Sequence, residues 1–144
     1  MKQFKFHIER LKASGLRPTR QRLALSKILF DRKETFHFTI EILKKVVKKH
    51  SKEKISTATL YNTVHAFKKM RYLKEISLKG NKIFFDTNTK NHHHFYDEDS
   101  SELTDIKNEN VFVKNLPNAP DGKKVKEIEI TIRVANNNQK QKNN

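Results

Sequence analysis

Residues 56–70 read STATLYNTVHAFKKM. A serine and a threonine open this stretch, and such side chains cap helices by accepting hydrogen bonds from the free N–H groups of the first turn. Ser56 or Thr57 is therefore the expected N-cap. Apolar side chains follow at the i, i+4, i+7 spacing of one helical face, and they are Leu60, Val64 and Phe67. The stretch predicts an amphipathic helix with a buried apolar stripe.

The segments before and after this helix predict a winged helix-turn-helix. Apolar periodicity indicates three earlier helices: one over residues 4–13, one opened by Pro18-Thr19 and one with its N-cap at Thr39. After the helix, LKEISLKGNKIFFD (residues 73–86) forms two short runs around a Gly-Asn pair, which is a hairpin signal. Four helices and a hairpin predict a winged-helix domain over residues 1–86.

The pattern changes after residue 86. The segments HHHFY and ELTDI predict short strands, residues 107–122 leave a short helix or a loop open, and KVKEIEITIRVA (residues 124–135) alternates as a strand does. A small sheet with one apolar face needs a partner, and self-association is the economical solution. The predicted fold is α+β: a winged helix-turn-helix, a small α/β dimerisation domain over residues 87–135, and a disordered tail over residues 136–144.

The excess positive charge lies in the first part of the chain. Residues 1–86 hold 22 Lys and Arg against 7 Asp and Glu, a net charge of +15, while the remaining residues hold 9 of each. A basic half joined to a neutral half is typical of a nucleic-acid-binding module that carries a second module. An AT-rich genome, which favours Lys and Asn codons, is the alternative explanation, but it does not predict a neutral second half.

The sequence contains no cysteine. Disulfides, thiolate zinc sites and cysteine nucleophiles are therefore excluded, and any metal must be bound by histidine and carboxylate. No apolar run approaches the ~20 residues of a membrane span, and the N-terminus is amphipathic rather than a signal peptide. These features predict a soluble, cytoplasmic protein with no membrane partner.

The polar face of the helix at residues 56–70 suits the major groove of double-stranded DNA. Asparagine pairs with adenine, aromatic rings contact thymine methyl groups, and lysine or threonine side chains reach phosphates. The candidate DNA-contacting residues on this helix are Thr57, Tyr61, Asn62, His65, Lys68 and Lys69. The alternative is the solvated face of an ordinary surface helix, but the following hairpin and the charge favour DNA.

Residues 90–99, KNHHHFYDED, place three histidines beside carboxylates. Side chains at i and i+2 of a strand point the same way, so His92 and His94 can share one ion while His93 faces the other side. Imidazoles with carboxylates suit Fe²⁺, Mn²⁺ or Zn²⁺. The alternative is a polar loop in which three histidines are adjacent by accident. His7, His50 and His65 are interpreted as surface residues, unless His65 touches DNA.

Four motifs occur in this order along the chain: GLRPTRQR, HFTIEIL, STATLYNTVHAFKKM and YLKEI. Together they resemble the ferric uptake regulator (Fur) superfamily of metal-responsive repressors, and the resemblance covers roughly residues 8–134. The segments YNT, FFDTN, HHHF and LPNAPDGKKV…ITIRV are most similar to the iron response regulator (Irr) branch. Most relatives carry CxxC pairs for a structural zinc, whereas this chain has YDEDSSEL in that place. The resemblance therefore implies no structural cysteine-bound zinc.

The resemblance implies a homodimer that binds an AT-rich operator in DNA. It implies base contacts by Tyr61 and Asn62, and a minor-groove contact by Arg17. Matching by motif, it implies a regulatory site for Fe²⁺, Mn²⁺ or Zn²⁺. The ligands of that site would be His37, Asp86, His92, His94 and Asp105.

The iron response regulator branch also implies haem binding at His92, His93 and His94. On this interpretation the chain is an iron- and haem-responsive transcriptional regulator that controls iron and haem homeostasis genes. The alternatives are a Mn- or Fe-dependent repressor of the Fur or peroxide-sensor type without a haem response, and a non-responsive architectural DNA-binding protein. An enzyme is not expected and no catalytic residue is assigned, because three glycines and a low apolar content offer little scaffold for a substrate cavity.

Overall fold

The computed structural model describes residues 2–137 and contains two compact units, Met1–Thr89 and Lys90–Asn144. We call them the N-terminal and C-terminal units. The division lies three residues after the predicted boundary at residue 86. Of the predicted tail, residues 138–144 lie outside the described residues, and Asn136 and Asn137 have no regular structure. None of the described helices is long and apolar enough to cross a membrane.

The N-terminal unit contains four helices, as the apolar periodicity predicts. They are α1 (Lys2–Ala13), α2 (Arg20–Phe30), α3 (Ile40–His50) and α4 (Thr57–Lys69). The side chains of Thr19, Thr39 and Ser56 cap the last three by accepting from backbone N–H groups at 3.3, 3.1 and 3.2 Å. Ser56, rather than Thr57, is therefore the N-cap of α4. The predicted stripe of α4 is buried, since Leu60, Val64 and Phe67 are each at most 1% exposed.

Helices α1 and α4 end in the same kind of turn. In each, two backbone N–H groups reach back to carbonyls of the last turn while one residue adopts a left-handed conformation. Gly15 takes that position after α1, with φ +73°, at little cost because it lacks a Cβ. Arg71 takes it after α4, with φ +62°. An arginine in this conformation costs roughly 1–2 kcal/mol.

The hairpin predicted from the Gly-Asn pair is present and forms the wing. Strands β2 (Lys74–Leu78) and β3 (Lys82–Asp86) pair antiparallel, and β1 (His37–Phe38) pairs with the other edge of β3. Gly80 and Asn81 both have positive φ, of 82° and 61°, which these residue types tolerate best. The sheet order β1-β3-β2 places the segment before α3 beside the end of the wing.

The C-terminal unit contains a mixed three-stranded sheet. Strand β4 (His92–Asp97) lies in the centre, antiparallel to β5 (Glu102–Lys107) and parallel to β6 (Thr131–Val134). No α-helix is present in this unit up to residue 137; the segment left open in sequence has one 3-10 turn, Asn108–Asn110, followed by a loop. The strand predicted over residues 124–135 is wrong in extent. An alternating sequence forms a strand only where a neighbouring strand can pair with it. Thr131, the first residue of β6, pairs with His94, and β4 begins only two residues before His94.

The interpretation of His7 as a surface residue is wrong. His7 lies four residues before Leu11 on the inner face of α1, and both side chains are 0% exposed. The Nδ1 atom of His7 lies 2.7 Å from the hydroxyl of Ser26, and its Nε2 atom lies 2.8 Å from a carboxylate oxygen of Asp31. Both ring nitrogens are therefore satisfied, which allows the imidazole to be buried.

The substitution His7→Ala is expected to lower the free energy of unfolding by about 2 kcal/mol, because it leaves a cavity and removes hydrogen-bond partners from Ser26 and Asp31. Urea unfolding followed by circular dichroism measures the change. The exposed His50 provides the control, since His50→Ala should change stability by no more than about 0.5 kcal/mol. Equal effects of the two substitutions would contradict a structural role for His7.

Candidate functional site

Strand register brings a histidine and a carboxylate face to face in the C-terminal unit. His94 on β4 pairs directly with Asp105 on β5, and paired residues project from the same face of a sheet. The Nε2 atom of His94 lies 3.2 Å from Oδ1 of Asp105. His92, two residues earlier on β4, shares that face, and its Nε2 atom lies 3.3 Å from the same oxygen. The structure therefore brings these three predicted ligands together.

The ring orientation of His92 is fixed by the backbone. Its Nδ1 atom lies 2.6 Å from the carbonyl oxygen of Lys90, and only a protonated nitrogen can donate to that oxygen. The Nε2 atom of the neutral ring then carries a lone pair. It lies 2.9 Å from Nε2 of His94. Lys90 was not predicted as part of the site, because a backbone carbonyl leaves no signature in the residue types.

The donor set of this cluster fits a divalent transition-metal ion. Two imidazole nitrogens and one carboxylate oxygen converge within 4.8 Å of one another, and such donors suit Fe²⁺, Mn²⁺ or Zn²⁺. A second hydrogen bond from Nδ1–H to a carbonyl, as at His92, is the usual support of a metal-ligating histidine. All three histidines of the triplet are at most 5% exposed. A polar loop that contained three histidines by chance would leave the imidazole rings exposed.

His93 has a different environment from its neighbours. It projects from the opposite face of β4, where its Nδ1 atom accepts a hydrogen bond from the backbone N–H of Ile130 at 3.0 Å. That bond fastens the segment leading into β6 onto β4. His93 therefore faces away from His92 and His94, as the alternation of a strand predicts. Its imidazole contributes to the structure through the hydrogen bond from Ile130.

A second His–Asp pair lies in the N-terminal unit, again formed by strand register. His37 on β1 pairs with Asp86 on β3, and Nε2 of His37 lies 3.1 Å from Oδ2 of Asp86. Asp86 is 0% exposed, and its other oxygen accepts from the backbone N–H of Asn88 at 2.8 Å. A buried carboxylate is stable only when its oxygens are engaged in this way.

The turn between β4 and β5 holds the register that places Asp105 opposite His94. The carboxylate of Asp97 accepts from the backbone N–H groups of Asp99 and Ser100 at 2.9 and 3.2 Å. The hydrogen bond from Asp99, followed by that from Ser100, lowers the pKa of the Asp97 carboxyl below its ordinary value. The turn is therefore stabilised above the ordinary carboxyl pKa and loses this contribution as the pH falls through the lowered value.

The outer face of α4 presents the predicted DNA-contacting side chains to solvent. Tyr61 is 42% exposed, and its ring stacks on the ring of His65 at 6.0 Å between centroids. Asn62, Thr57 and Lys69 are exposed as well. His65 thus supports Tyr61, a contact that the i, i+4 spacing permits but that the residue types alone do not specify.

Two of the predicted DNA contacts have further partners. Lys68 is half-buried, and its Nζ atom lies 2.8 Å from a carboxylate oxygen of Glu75 on the wing. Arg17 is exposed just before α2, where its carbonyl accepts from the guanidinium of Arg22 at 3.1 Å. The Lys68 amino group is therefore occupied in tying α4 to the wing, whereas the side chain of Arg17 projects from the surface.

The fold and the clusters define a winged-helix protein whose second unit carries a site suited to a divalent metal. The sequence model of the ferric uptake regulator family matches residues 13–133. The chain belongs to the ferric uptake regulator family. This is a family of transcriptional regulators, so the chain is not an enzyme.

The relatives of known function agree with this membership. The peroxide-responsive repressor PerR of Staphylococcus aureus is 30% identical over 99 residues, which are 69% of this chain and 65% of that protein. The chain thus spans about 65% of the length of this relative.

Solved structures share the fold. The manganese-containing ferric uptake regulator of Pseudomonas aeruginosa has a TM-score of 0.65 at 17% identity, covering 90% of this chain and 97% of that one. The ferric uptake regulator of Vibrio cholerae also has a TM-score of 0.65, at 20% identity, with 89% and 98% covered. The α+β fold of the family, a helical region with a hairpin wing followed by a mixed sheet, is therefore confirmed.

The substitution His94→Ala is expected to weaken binding of Mn²⁺ to the metal-stripped protein by more than about 100-fold, the upper end of what loss of a mere supporting partner costs. The reason is that His94→Ala removes one of the three donors that converge in the C-terminal unit. Equilibrium dialysis measures the affinity. His65→Ala, which deletes an exposed imidazole on α4, should leave the affinity unchanged. A His94→Ala protein that binds Mn²⁺ as tightly as the parent would exclude this cluster as the metal site.

Proposed function

We propose that this chain is a divalent-metal-dependent transcriptional repressor that binds DNA as a homodimer. Membership of the ferric uptake regulator family and the convergence of His92, His94 and Asp105 support the proposal. The convergence carries most weight, because a purely architectural DNA-binding protein has no need of two buried histidines that converge on a carboxylate. Fe²⁺ or Mn²⁺ is the expected ion, with Zn²⁺ as a competitor. Like its relatives, the protein would act in the cytoplasm.

The complete metal site is proposed to join ligands from both units. The three donors of the C-terminal unit would be supplemented by His37 and Asp86 of the N-terminal unit. Asp86 ends β3 and His92 begins β4, with only residues 87–91 between them. A chain of five residues is short enough to bring both ligands to one ion. The bound ion would supply the positive charge that offsets the two carboxylates.

Metal binding would then set the geometry of DNA recognition. Strand pairing holds the candidate ligands of each unit in place. An ion bound by ligands of both units would therefore fix the orientation of the winged helix relative to the C-terminal unit. In a dimer, that orientation sets the spacing of the two α4 helices on the operator. The mechanism is a hinge closure, with the linker at residues 87–91 as the hinge.

Self-association is proposed to occur through the apolar face of the C-terminal sheet. Phe95 on β4 pairs with Ile132 on β6, and their side chains are 39% and 40% exposed. Val134 lies on the same face, and the loop before β6 adds further exposed apolar side chains: Phe112, Val113, Leu116, Val125 and Ile128. Exposed apolar side chains in this number suggest an interaction surface. No cysteine-bound zinc is available to support it, so the dimer would rest on packing.

The DNA contacts are proposed to be those of α4 together with Arg17. Tyr61 and Asn62 would contact base edges in the major groove, Thr57 and Lys69 would contact phosphates, and Arg17 would enter the minor groove of an AT-rich operator. His65 would orient Tyr61. Lys68, which is paired with Glu75, would reach a phosphate only by exchanging that partner.

Haem responsiveness, and with it assignment to the iron response regulator branch, is the weaker proposal. The relatives described above are peroxide-responsive repressors and ferric uptake regulators. Nδ1 of His92 lies against a carbonyl and Nδ1 of His93 accepts a backbone N–H group. Because Nδ1 of a neutral His93 ring accepts that bond, its Nε2 carries the ring proton and offers no lone pair to iron. The Nε2 atoms of His92 and His94 already face Asp105. A divalent cation fits these donors better than an axial haem iron.

The substitution Asn62→Ala is expected to cost roughly 1–3 kcal/mol of binding free energy at particular operator positions and to relax specificity there. Lys69→Ala should weaken binding to all sequences about equally and reduce the salt dependence. Fluorescence anisotropy with a panel of single-base operator variants separates the two patterns. Identical profiles for both variants would contradict the assignment of Asn62 as a base contact.

The function itself is tested by DNA binding of metal-stripped protein, using a duplex selected from a random library. Adding Mn²⁺ is expected to tighten binding by about tenfold or more, the size of a typical allosteric coupling. The variant His92→Ala/His94→Ala should lose the response while keeping the circular dichroism of its helices. Haemin is titrated in parallel. A response to haemin alone would support the haem-responsive alternative, and no response to either would support a non-responsive DNA-binding protein.

A further inference from the structure

The N-terminal unit contains a cavity of about 450 Å³ away from the outer face of α4. It lies where α1 meets the C-terminal ends of α2 and α4 and the residues that follow β3. Its walls carry three arginines and three aromatic rings: Arg10, Arg32, Arg71, Phe6, Phe30 and Tyr72. A cavity of this volume is in the range of small-molecule sites.

The guanidinium of Arg10 is held among the three rings and has no polar partner in the described chain. Its Cζ atom lies 4.5, 4.4 and 4.4 Å from the ring centroids of Phe6, Phe30 and Tyr72. Within residues 2–137 it makes no hydrogen bond or ion pair, so the donors of its planar fork are unused. Burial lowers the pKa of Arg10, although Tyr72 opposes the shift. Aromatic rings position such a cation without neutralising it.

Arg32, which is more exposed than Arg10, also lines the cavity. Its Cζ atom lies 3.7 Å from the ring centroid of Phe36, and its Nε atom donates to the carbonyl of Ile28 at 2.8 Å. That single bond leaves its remaining donors available. Burial lowers the pKa of Arg32 as well, which means that an anion in the cavity would restore favourable interactions to a partly desolvated cation.

Arg71 occupies a backbone position that favours glycine. The matching turn after α1 uses Gly15 there. The turn after α4 closes by the same backbone hydrogen bonds and has no need of an arginine side chain. A residue with a strained backbone conformation at the wall of a cavity points to a function for its side chain.

We propose that this cavity binds a small polyanion, such as a phosphate ester or a polycarboxylate. Three cations line it against one carboxylate, that of Glu34, and threonine hydroxyls complete the wall at Thr35, Thr87 and Thr89. Planar guanidinium forks match phosphate and carboxylate oxygens in pairs. The proposal rests on the N-terminal unit alone and needs neither the metal nor the DNA function of the chain.

The proposal is tested by isothermal titration of the metal-stripped chain with inorganic pyrophosphate and with citrate, at an ionic strength of about 150 mM to screen the exposed charges. Saturable binding at one site per chain is expected for at least one probe. Tighter binding of pyrophosphate would indicate a phosphate ligand, and tighter binding of citrate would indicate a polycarboxylate.

The variant Arg71→Gly removes one guanidinium and relieves the left-handed backbone strain, so the protein stays folded. Its affinity for the probe should fall at least about tenfold, because a charge-assisted pair is lost. The exposed Lys45 of α3 provides the control: Lys45→Gln removes the same charge and should leave the affinity within about twofold. Equal losses in the two variants would show nonspecific attraction to a basic chain. Absence of saturable binding would show that the arginines only cover helix ends. Either result overturns the proposal.

Discussion

The register of two antiparallel strand pairs is the constraint on which the candidate metal ligands depend. His37 lies opposite Asp86 in the N-terminal unit, and His94 lies opposite Asp105 in the C-terminal unit. A slip of one residue would turn every side chain of a strand to the other face and separate both pairs. Hydrogen bonds between Phe36 and Thr87, at 2.9 and 3.1 Å, extend the pairing of β1 and β3, and the turn at Asp97 holds the register of β4 and β5. Residues that are not themselves candidate ligands therefore determine whether the ligands meet.

Asp86, His92 and His94 are buried, and burial makes their arrangement costly unless their polar atoms are engaged. Asp86 is fully buried against His37 and a backbone N–H group, and His92 donates to a carbonyl. These bonds leave the Nε2 atoms of His92 and His94 facing one carboxylate oxygen. The same logic applies to His7, whose two nitrogens are satisfied inside the helical core. The His92–His94 cluster differs from His7 because only the cluster has several donor atoms that converge on one point.

Much of this organisation is predictable from the sequence, because periodicity and capping act locally. The stripe of α4, the cap at Thr39, the hairpin and the shared face of His92 and His94 follow from residue types and spacing within short segments. The burial of His7 and the short extent of β6 do not, since both depend on partners distant in sequence. The partner of His92 is a backbone carbonyl, which no residue type reveals. The arginines around the 450 Å³ cavity are likewise dispersed, since Arg10 lies in α1, Arg32 follows α2 and Arg71 follows α4.

We propose that one divalent ion is held by ligands from both units. Anomalous diffraction at the manganese edge from crystals grown with Mn²⁺ tests this proposal most directly. We expect a single strong peak per chain, within bonding distance of His37, Asp86, His92, His94 and Asp105. A peak bound only by the three residues of the C-terminal unit would contradict the proposed joining of the units. A peak elsewhere in the chain would contradict the metal site itself.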